Sequence, residues 1–150
     1  MSLLSWNCRG RGNPQTINAL KKVIKLEKPK FIFLMETKSD DDWMKVIRDC
    51  CGFQKGFFVP SIGSSGGLAL FWHSKVRIKV VGSCLSHIDA IVERDGNYSL
   101  WRLTGFYGNP ETSKRMESWQ LLNSLSSTSQ LPWLVNGDFN EIWCAEEKEG

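Results

Sequence analysis

The feature that most constrains the fold is a series of short apolar runs, each followed by a polar residue. Phe31–Met35 contains no polar side chain, as in a strand that is covered on both faces. Similar runs occupy Leu3–Trp6, Leu103–Phe106 and Trp133–Val135. Strands of this kind need a further layer of structure on each side. The pattern therefore predicts stacked sheets with helices outside them.

Three segments between these strands have helical periodicity. The first begins at Pro14, a favoured first helical residue, and ends before Pro29. The second follows Asp40–Asp42, which suit a helix cap, and ends at Gly52. The third is predicted over Ser113–Leu125. The predicted apolar faces are, in order, Ile17, Leu20, Val23 and Ile24; Trp43, Val46, Ile47 and Cys50; and Met116, Trp119, Leu122 and Leu125.

The middle of the chain has the closer spacing of antiparallel strands. Asp95-Gly96-Asn97 is a hairpin signal, because Gly and Asn accept positive φ. No linker, repeat or low-complexity tract divides the chain, and 150 residues suit one hydrophobic core. We therefore predict a single α/β domain over residues 1–150. Its central strands are predicted at Phe57–Val59, Leu68–Trp72, Val76–Val81, Ile88–Glu93 and Tyr98–Phe106.

Composition and charge restrict the function only loosely. The net charge of +3 is compatible with a nucleic-acid partner but does not establish one. The cluster Lys21, Lys22, Lys25, Lys28 and Lys30 is interpreted first as a solvated helix face. No stretch approaches the roughly 20 apolar residues that span a bilayer, and the N-terminus does not resemble a signal peptide. The five cysteines lack CxxC spacing, which favours reduced thiols in a nuclear or cytoplasmic protein that is not secreted.

Polar residues of catalytic or ligand type follow four of the predicted strands. They are Asn7, Glu36, Tyr107 and the pair Asp138 and Asn140. In layered α/β folds, side chains from separate segments converge at the carboxyl ends of strands. One polar residue at a strand end is ordinary turn chemistry. Five such residues at four strand ends predict one site.

The residue types indicate a metal-assisted reaction at a phosphate. Glu36 offers a hard anionic oxygen for Mg²⁺, which Mn²⁺ can replace, and Asn7 would support the ion or orient Glu36. Asp138 would deprotonate an attacking water. Asn140 would hold that water or a phosphate oxygen. Tyr107 would donate a hydrogen bond to the phosphorane or the leaving oxygen.

Two arginines in the segment CRGRG are candidates for contacting DNA. Arg9 and Arg11 could bind backbone phosphates, because the guanidinium group suits phosphate geometry. An exposed, solubilising role is an equal alternative. The glycines between them resemble a phosphate-binding loop only weakly, and a flexible connection is the preferred interpretation.

The motifs that carry these residues resemble a known family. The segments LLSWNCRGRGNP, FIFLMETK, SSGGLALFW, TGFYGNP and LPWLVNGDFNEIW are similar to the endonuclease/exonuclease/phosphatase superfamily. More narrowly, they resemble the apurinic-type endonuclease domain of plant LINE-class non-LTR retrotransposons. The resemblance extends from Leu3 to about Gly150.

This resemblance implies a fold, a reaction and a set of roles. The fold would be the DNase I-like α/β/β/α sandwich of four layers. Asn7 and Glu36 match the family's metal-site residues, Tyr107 its active-site tyrosine, Asp138 its water-activating Asp and Asn140 its phosphate-contacting Asn. LINE members nick DNA to prime reverse transcription. The expected partner is therefore DNA, and we expect a monomer.

The resemblance also implies a further part of the domain. Family members carry another Asp and a catalytic His near their C-terminus, whereas His73 and His87 lie too early for that role and are expected to be a loop residue and a structural residue. We therefore expect the chain to hold the N-terminal two-thirds of a C-terminally truncated domain.

Three functional interpretations follow. The first is a DNA endonuclease domain, inactive if the missing segment is essential. The second is a nucleic-acid-binding remnant or a decayed reading frame. The third, less favoured, is a phosphodiesterase for phosphoinositide or sphingolipid head groups.

Overall fold

In a computed structural model, the described residues form eight strands and three helices, with five strands in succession between the second and third helices. The structure describes residues 2–8, 14–62, 66–93, 99–109 and 111–140. A 3-10 turn at Thr112–Lys114 precedes the last helix. The elements are β1 (Leu3–Asn7), α1 (Pro14–Glu27), β2 (Phe31–Met35), α2 (Asp41–Cys50), β3 (Lys55–Val59), β4 (Leu68–Trp72), β5 (Ile78–Cys84), β6 (His87–Glu93), β7 (Leu100–Tyr107), α3 (Arg115–Ser126) and β8 (Trp133–Asp138).

The strands form two sheets of four. The first sheet has the order β1-β2-β4-β3, and the second has the order β5-β6-β7-β8. One pair in each sheet is parallel, β1 with β2 and β7 with β8, and the other pairs are antiparallel. Asn7 lies beside Met35 in the first parallel pair, and Tyr107 lies beside Asp138 in the second. Each parallel pair therefore brings two carboxyl ends to one edge.

Successive side chains of β2 point to opposite faces of the first sheet and enter two different hydrophobic cores. Phe31, Phe33 and Met35 pack between the two sheets. Ile32 and Leu34 point the other way, into a second core that α1 and α2 cover. On the far side, α3 covers the second sheet, where the guanidinium of Arg102 on β7 donates to a backbone carbonyl of the helix. The result is the predicted four-layer α/β/β/α sandwich of the DNase I-like type, and this prediction is confirmed.

The predicted buried face of α2 is wrong in part. Asp40 caps the helix as predicted, because its carboxylate accepts the Trp43 N–H at 2.9 Å. Ile47 is buried as predicted, but Trp43 and Val46 are exposed, and Met44 is buried instead. The row of residues that α2 packs against the first sheet is therefore shifted by about one position along the chain from the predicted row. Cys51, just past the helix, joins this core, whereas Cys50 faces solvent.

The predicted apolar face of α3 and the burial of β8 also differ from the structure. Met116 and Trp119 are exposed, and Ser118 is the buried residue of the helix. The run Trp133–Val135 was expected to be a buried strand, but β8 lies at the edge of its sheet, and Leu134 is 45% exposed. An edge strand has a neighbour on one side only, so its apolar composition does not guarantee burial.

The other strand predictions are correct in type but shifted at their ends. Leu68–Trp72 is confirmed as predicted, whereas the strand predicted at Val76–Val81 runs over Ile78–Cys84. All five lysines of the basic cluster are exposed, in agreement with a solvated face. The Asp95-Gly96-Asn97 hairpin lies outside the described residues, although Glu93 and Leu100 on either side do pair.

A buried ion pair joins three strands of the second sheet. Asp89 on β6 accepts two hydrogen bonds of 2.8 Å from the guanidinium of Arg102, and a third of 2.9 Å from Thr104. The Arg102 guanidinium also lies over the ring of Trp133 on β8, and the Trp133 indole donates to Thr104 at 2.8 Å. This network holds β8 in register beside β7. It therefore helps to position the residues at the ends of both strands.

None of the described helices has the length and apolar character needed to cross a membrane. The four described cysteines, Cys8, Cys50, Cys51 and Cys84, are free thiols. His73 packs its ring on Phe53, and His87 is buried.

Candidate active site

The two sheets are joined at the edge formed by β1 and β8. The Ser5 hydroxyl donates a hydrogen bond to the side-chain carbonyl of Asn136. Residues two positions apart on a strand share a face. Asn7 therefore lies on the same face of β1 as Ser5, and Asp138 lies on the same face of β8 as Asn136. Both faces point into the space between the sheets, and Asn7 and Asp138 lie where β1 and β8 end.

The loop that carries Glu36 is held in an uncommon conformation. Glu36 directly follows β2 and has φ +50°, a left-handed value that is rare for a residue with a side chain. The next two amides fix the loop: Thr37 N–H donates to Gly67 O at 3.2 Å, and Lys38 N–H donates to Gly66 O at 2.9 Å. A β-carbon on Gly67 would collide with the Thr37 side chain, so this close approach requires glycine.

A hydrogen bond between Tyr107 and Glu36 connects the two sheets at this site. The phenol at the end of β7 donates to Oε1 of Glu36 at 2.5 Å. Tyr107 is 9% exposed. Burial of the phenol is the main reason that the pKa of Tyr107 is raised above its ordinary value. The hydrogen bond to Glu36 and the charges of Glu36 and Asp138 also raise it. Tyr107 is therefore a protonated donor at neutral pH.

Asp138 and Asn140 form a turn that is anchored to the end of β7. The Asp138 carboxylate accepts the Asn140 N–H at 2.8 Å, and the Asn140 amide donates to Gly108 O at 2.5 Å. The Gly108 N–H in turn donates to Asp138 O at 2.7 Å. A β-carbon on Gly108 would overlap the backbone of Phe139. These bonds fix both side chains relative to Tyr107.

Three of the five residues predicted for the site act on the phenol of a fourth, Tyr107. Glu36 and Asp138 interact electrostatically with the Tyr107 hydroxyl, and Asn140 forms a side-chain hydrogen bond that lowers its pKa. Asn7 lies at the end of the strand next to β2, beside Met35. Arg9 and Arg11 lie outside the described residues.

Sequence reasoning overlooked the Ser5–Asn136 bond that precedes the site on both edge strands. The available signal was a polar residue two positions before Asn7 and another two positions before Asp138.

The donor set fits Mg²⁺ better than a softer metal. Glu36, Asp138, Asn7 and Asn140 offer carboxylate and amide oxygens, without thiol or imidazole. Within the described residues, no three side chains of the His, Cys, Asp or Glu type come together as a metal cage. Mg²⁺ usually keeps several waters and needs only one or two carboxylates, whereas structural zinc needs four protein ligands.

Solved structures with the same DNase I-like fold superpose on this chain. The catalytic domain of human Nocturnin, determined with bound sulfate, superposes with a TM-score of 0.73 at 17% identity, covering 99% of this chain and 67% of that one. The endonuclease domain of TRAS1, a telomere-specific non-LTR retrotransposon, gives 0.66 at 12% identity, covering 94% and 61%. AP endonuclease LMAP from Leishmania major gives 0.61 at 18%, covering 91% and 54%. The chain thus spans between about half and two thirds of these structures.

The sequence itself identifies the family. The model of the endonuclease/exonuclease/phosphatase family matches residues 4–148, and the chain belongs to this family. Members of the family are generally dependent on a divalent metal, and membership supports a function of the nuclease or phosphodiesterase type. No curated protein matches the chain.

Proposed function

We propose that this chain is a metal-dependent DNA phosphodiesterase domain that nicks DNA to prime retrotransposition. The observation that carries the proposal is the Tyr107–Glu36 hydrogen bond beside the Asp138–Asn140 turn, where two sheets bring acid, base and donor groups together. The retrotransposon endonuclease and the AP endonuclease of the same fold support DNA as the substrate. The motif resemblance supports a plant LINE-class element as the source.

Three side chains would act directly on the reacting phosphodiester. Asp138 would take the proton of the attacking water as general base. Asn140, whose amide is already oriented by Gly108 O, would hold that water or a phosphate oxygen. Tyr107 would turn its single O–H from Glu36 to a phosphate oxygen on which charge develops, and its raised pKa keeps this hydrogen-bond donor protonated.

Glu36 and Asn7 would hold the divalent ion, Mg²⁺ or in its place Mn²⁺. Glu36, which the Tyr107 hydrogen bond orients, would supply a carboxylate oxygen to the ion. The bound ion would neutralise charge on the phosphate. The amide oxygen of Asn7 would complete the protein's share of the ligands, and waters would fill the remainder.

The remaining features of the proposal concern binding and location. Arg9 and Arg11, with the net charge of +3, would bring the DNA backbone to the site. Priming of reverse transcription requires access to chromosomal DNA, so the protein would act in the nucleus. We propose that the domain works as a monomer.

Cleavage of supercoiled plasmid tests the proposal. If the residues present are sufficient for catalysis, the purified chain will convert supercoiled plasmid to the nicked form with MgCl₂ and will lose this activity with EDTA. Asp138→Asn should reduce the rate by at least about a hundredfold, the usual contribution of a general base. Asp49→Asn is the matched control, because Asp49 is an exposed acid on α2, and it should cleave like the wild type.

Two results would contradict the proposal. Equal nicking by the wild type and Asp138→Asn would assign the activity to a contaminant. Salt-dependent DNA binding without metal-dependent cleavage would favour a binding role instead. Titration with Mn²⁺, followed by paramagnetic resonance, provides a separate check, because Glu36→Gln should weaken Mn²⁺ binding whether or not DNA is cleaved.

A further inference from the structure

The hairpin between β5 and β6 ends in a paired thiol and imidazole. Cys84 closes β5, His87 opens β6, and the two residues are cross-strand neighbours around the two-residue turn Leu85–Ser86. The Cys84 Sγ lies 2.9 Å from Nδ1 of His87. The Ser86 N–H also donates to this sulfur at 3.3 Å. A backbone N–H and an imidazole nitrogen thus converge on one sulfur in a short, fixed turn.

The surroundings of the two side chains differ in a way that favours reaction at sulfur. Cys84 is exposed, whereas His87 is only 6% exposed and is held in the sheet. Burial acts to raise the pKa of the Cys84 thiol. The hydrogen bonds from His87 and Ser86, together with the charge of the imidazolium, outweigh burial and lower that pKa below its ordinary value.

The two inner cysteines have the opposite environment. Burial is the main cause that raises the pKa of Cys8 to about 12 and that of Cys51 to about 11. Neither thiol is expected to ionise near neutral pH. Cys50 is exposed at the end of α2, and it is therefore the natural control for Cys84.

We propose that Cys84 is a modification site, a thiol activated by His87 that exchanges with low-molecular-weight disulfides such as oxidised glutathione. The Cys84 thiolate attacks one sulfur of the disulfide. The disulfide's S–S bond breaks as a new S–S bond forms to Sγ. The other half leaves as a thiolate and takes a proton from the imidazolium or from water. The disulfide itself is the oxidant, so electrons and atoms balance.

The modified position would lie next to the candidate active site. Ser86 O accepts the backbone N–H of Tyr107 at 2.8 Å, and His87 pairs with Phe106 in the sheet. An adduct on Cys84 would replace the thiol–imidazole contact at the turn that holds the Tyr107 backbone. The inference about thiol reactivity is independent of the proposed phosphodiesterase function.

Rates of mixed-disulfide formation at each cysteine test the proposal. The purified chain is treated with oxidised glutathione at pH 7, quenched with acid and digested with trypsin. Cleavage at Lys79 and Arg94 separates Cys84 from the peptide with Cys50 and Cys51. An ordinary thiol is about 3% ionised at pH 7, so a lowered pKa increases the thiolate fraction, and the lower nucleophilicity of that thiolate offsets part of the gain. We therefore expect Cys84 to react about three- to tenfold faster than Cys50.

Replacement of the imidazole and unfolding of the chain provide two further measurements. His87→Gln should reduce the Cys84 rate to that of Cys50 and leave the Cys50 rate unchanged, with slow labelling of Cys51 as the sign that the core is intact. If the variant does not fold, wild-type protein in concentrated urea replaces it, and there the Cys84 and Cys50 rates should converge. Two results would overturn the proposal. One is a Cys84 rate equal to the Cys50 rate in the folded chain. The other is a Cys84 rate that exceeds the Cys50 rate by the same factor in urea as in the folded chain.

Discussion

Removal of the buried carboxylate Asp89 should destabilise the fold far more than removal of Glu93, a partly exposed acid on the same strand. Asp89 accepts three hydrogen bonds, two of 2.8 Å from Arg102 and one of 2.9 Å from Thr104. The Arg102 side chain is 2% exposed and that of Asp89 is 8% exposed. Asp89→Ala would leave a guanidinium buried without its counter-charge, and breaking such a pair costs about 3–5 kcal/mol. That is a large fraction of the roughly 5–15 kcal/mol that stabilises a typical domain.

Urea unfolding followed by tryptophan fluorescence measures this loss. Glu93→Ala is the matched control, because Glu93 is also an acid on β6 paired with an arginine, but Arg77 is 75% exposed. An exposed pair contributes only about 0–1 kcal/mol. The midpoint of thermal unfolding should fall by about 6–20 °C for Asp89→Ala, at about 2–4 °C per kcal/mol.

A double variant distinguishes loss of the ion pair from loss of packing. Asp89→Leu with Arg102→Met replaces both charges by apolar groups, and it should recover much of the stability lost in Asp89→Ala. If Asp89→Ala cost no more than Glu93→Ala, the assigned importance of the buried network would be refuted.

Three further predictions follow from single contacts. Gly105→Ala should destabilise by about 1–3 kcal/mol in urea unfolding, because its β-carbon would lie 2.5 Å from the Phe33 ring in a filled core. Asp40→Ala should cost about 1 kcal/mol in the same assay, because the Trp43 N–H loses its cap. In an alkaline absorbance titration, the difference between wild type and Tyr107→Phe should show a phenol that ionises above the ordinary pKa of about 10.

The sign of the tyrosine effect on stability follows from linkage. The folded state raises the pKa of Tyr107, so its contribution is fully present below pH about 10 and is lost as pH rises through the folded value. Tyr107→Phe should therefore flatten the alkaline loss of stability.

For the glycine prediction, Gly82→Ala is the control, because no atom lies within 4 Å of its β-carbon. An equal cost at both glycines would contradict the steric argument, and an Asp40→Ala variant as stable as the wild type would contradict the cap.

Much of the layer order could be predicted from local patterns. The apolar run Phe31–Met35 was sufficient to predict a strand covered on both faces, and it is buried along its whole length. Pro14 and Asp40 were sufficient to predict the starts of two helices, because both signals act within one turn. The faces of α2 and α3 were predicted less well. Which side of a helix is buried depends on where the sheet lies, and that is a long-range property.

The sequence by itself determined the family, the strand ends and the residue types of the candidate site. Asn7, Glu36, Tyr107, Asp138 and Asn140 were found because each follows an apolar run, a relation between neighbours in the chain. Only the tertiary structure decided how they meet. The phenol of Tyr107 reaches Glu36 across 71 positions because the two sheets stack with their parallel pairs at the same end. Likewise, Cys84 and His87 meet because a two-residue turn places residues three positions apart side by side. The pKa of the Cys84 thiol is lowered by this contact, which the composition of the chain does not reveal.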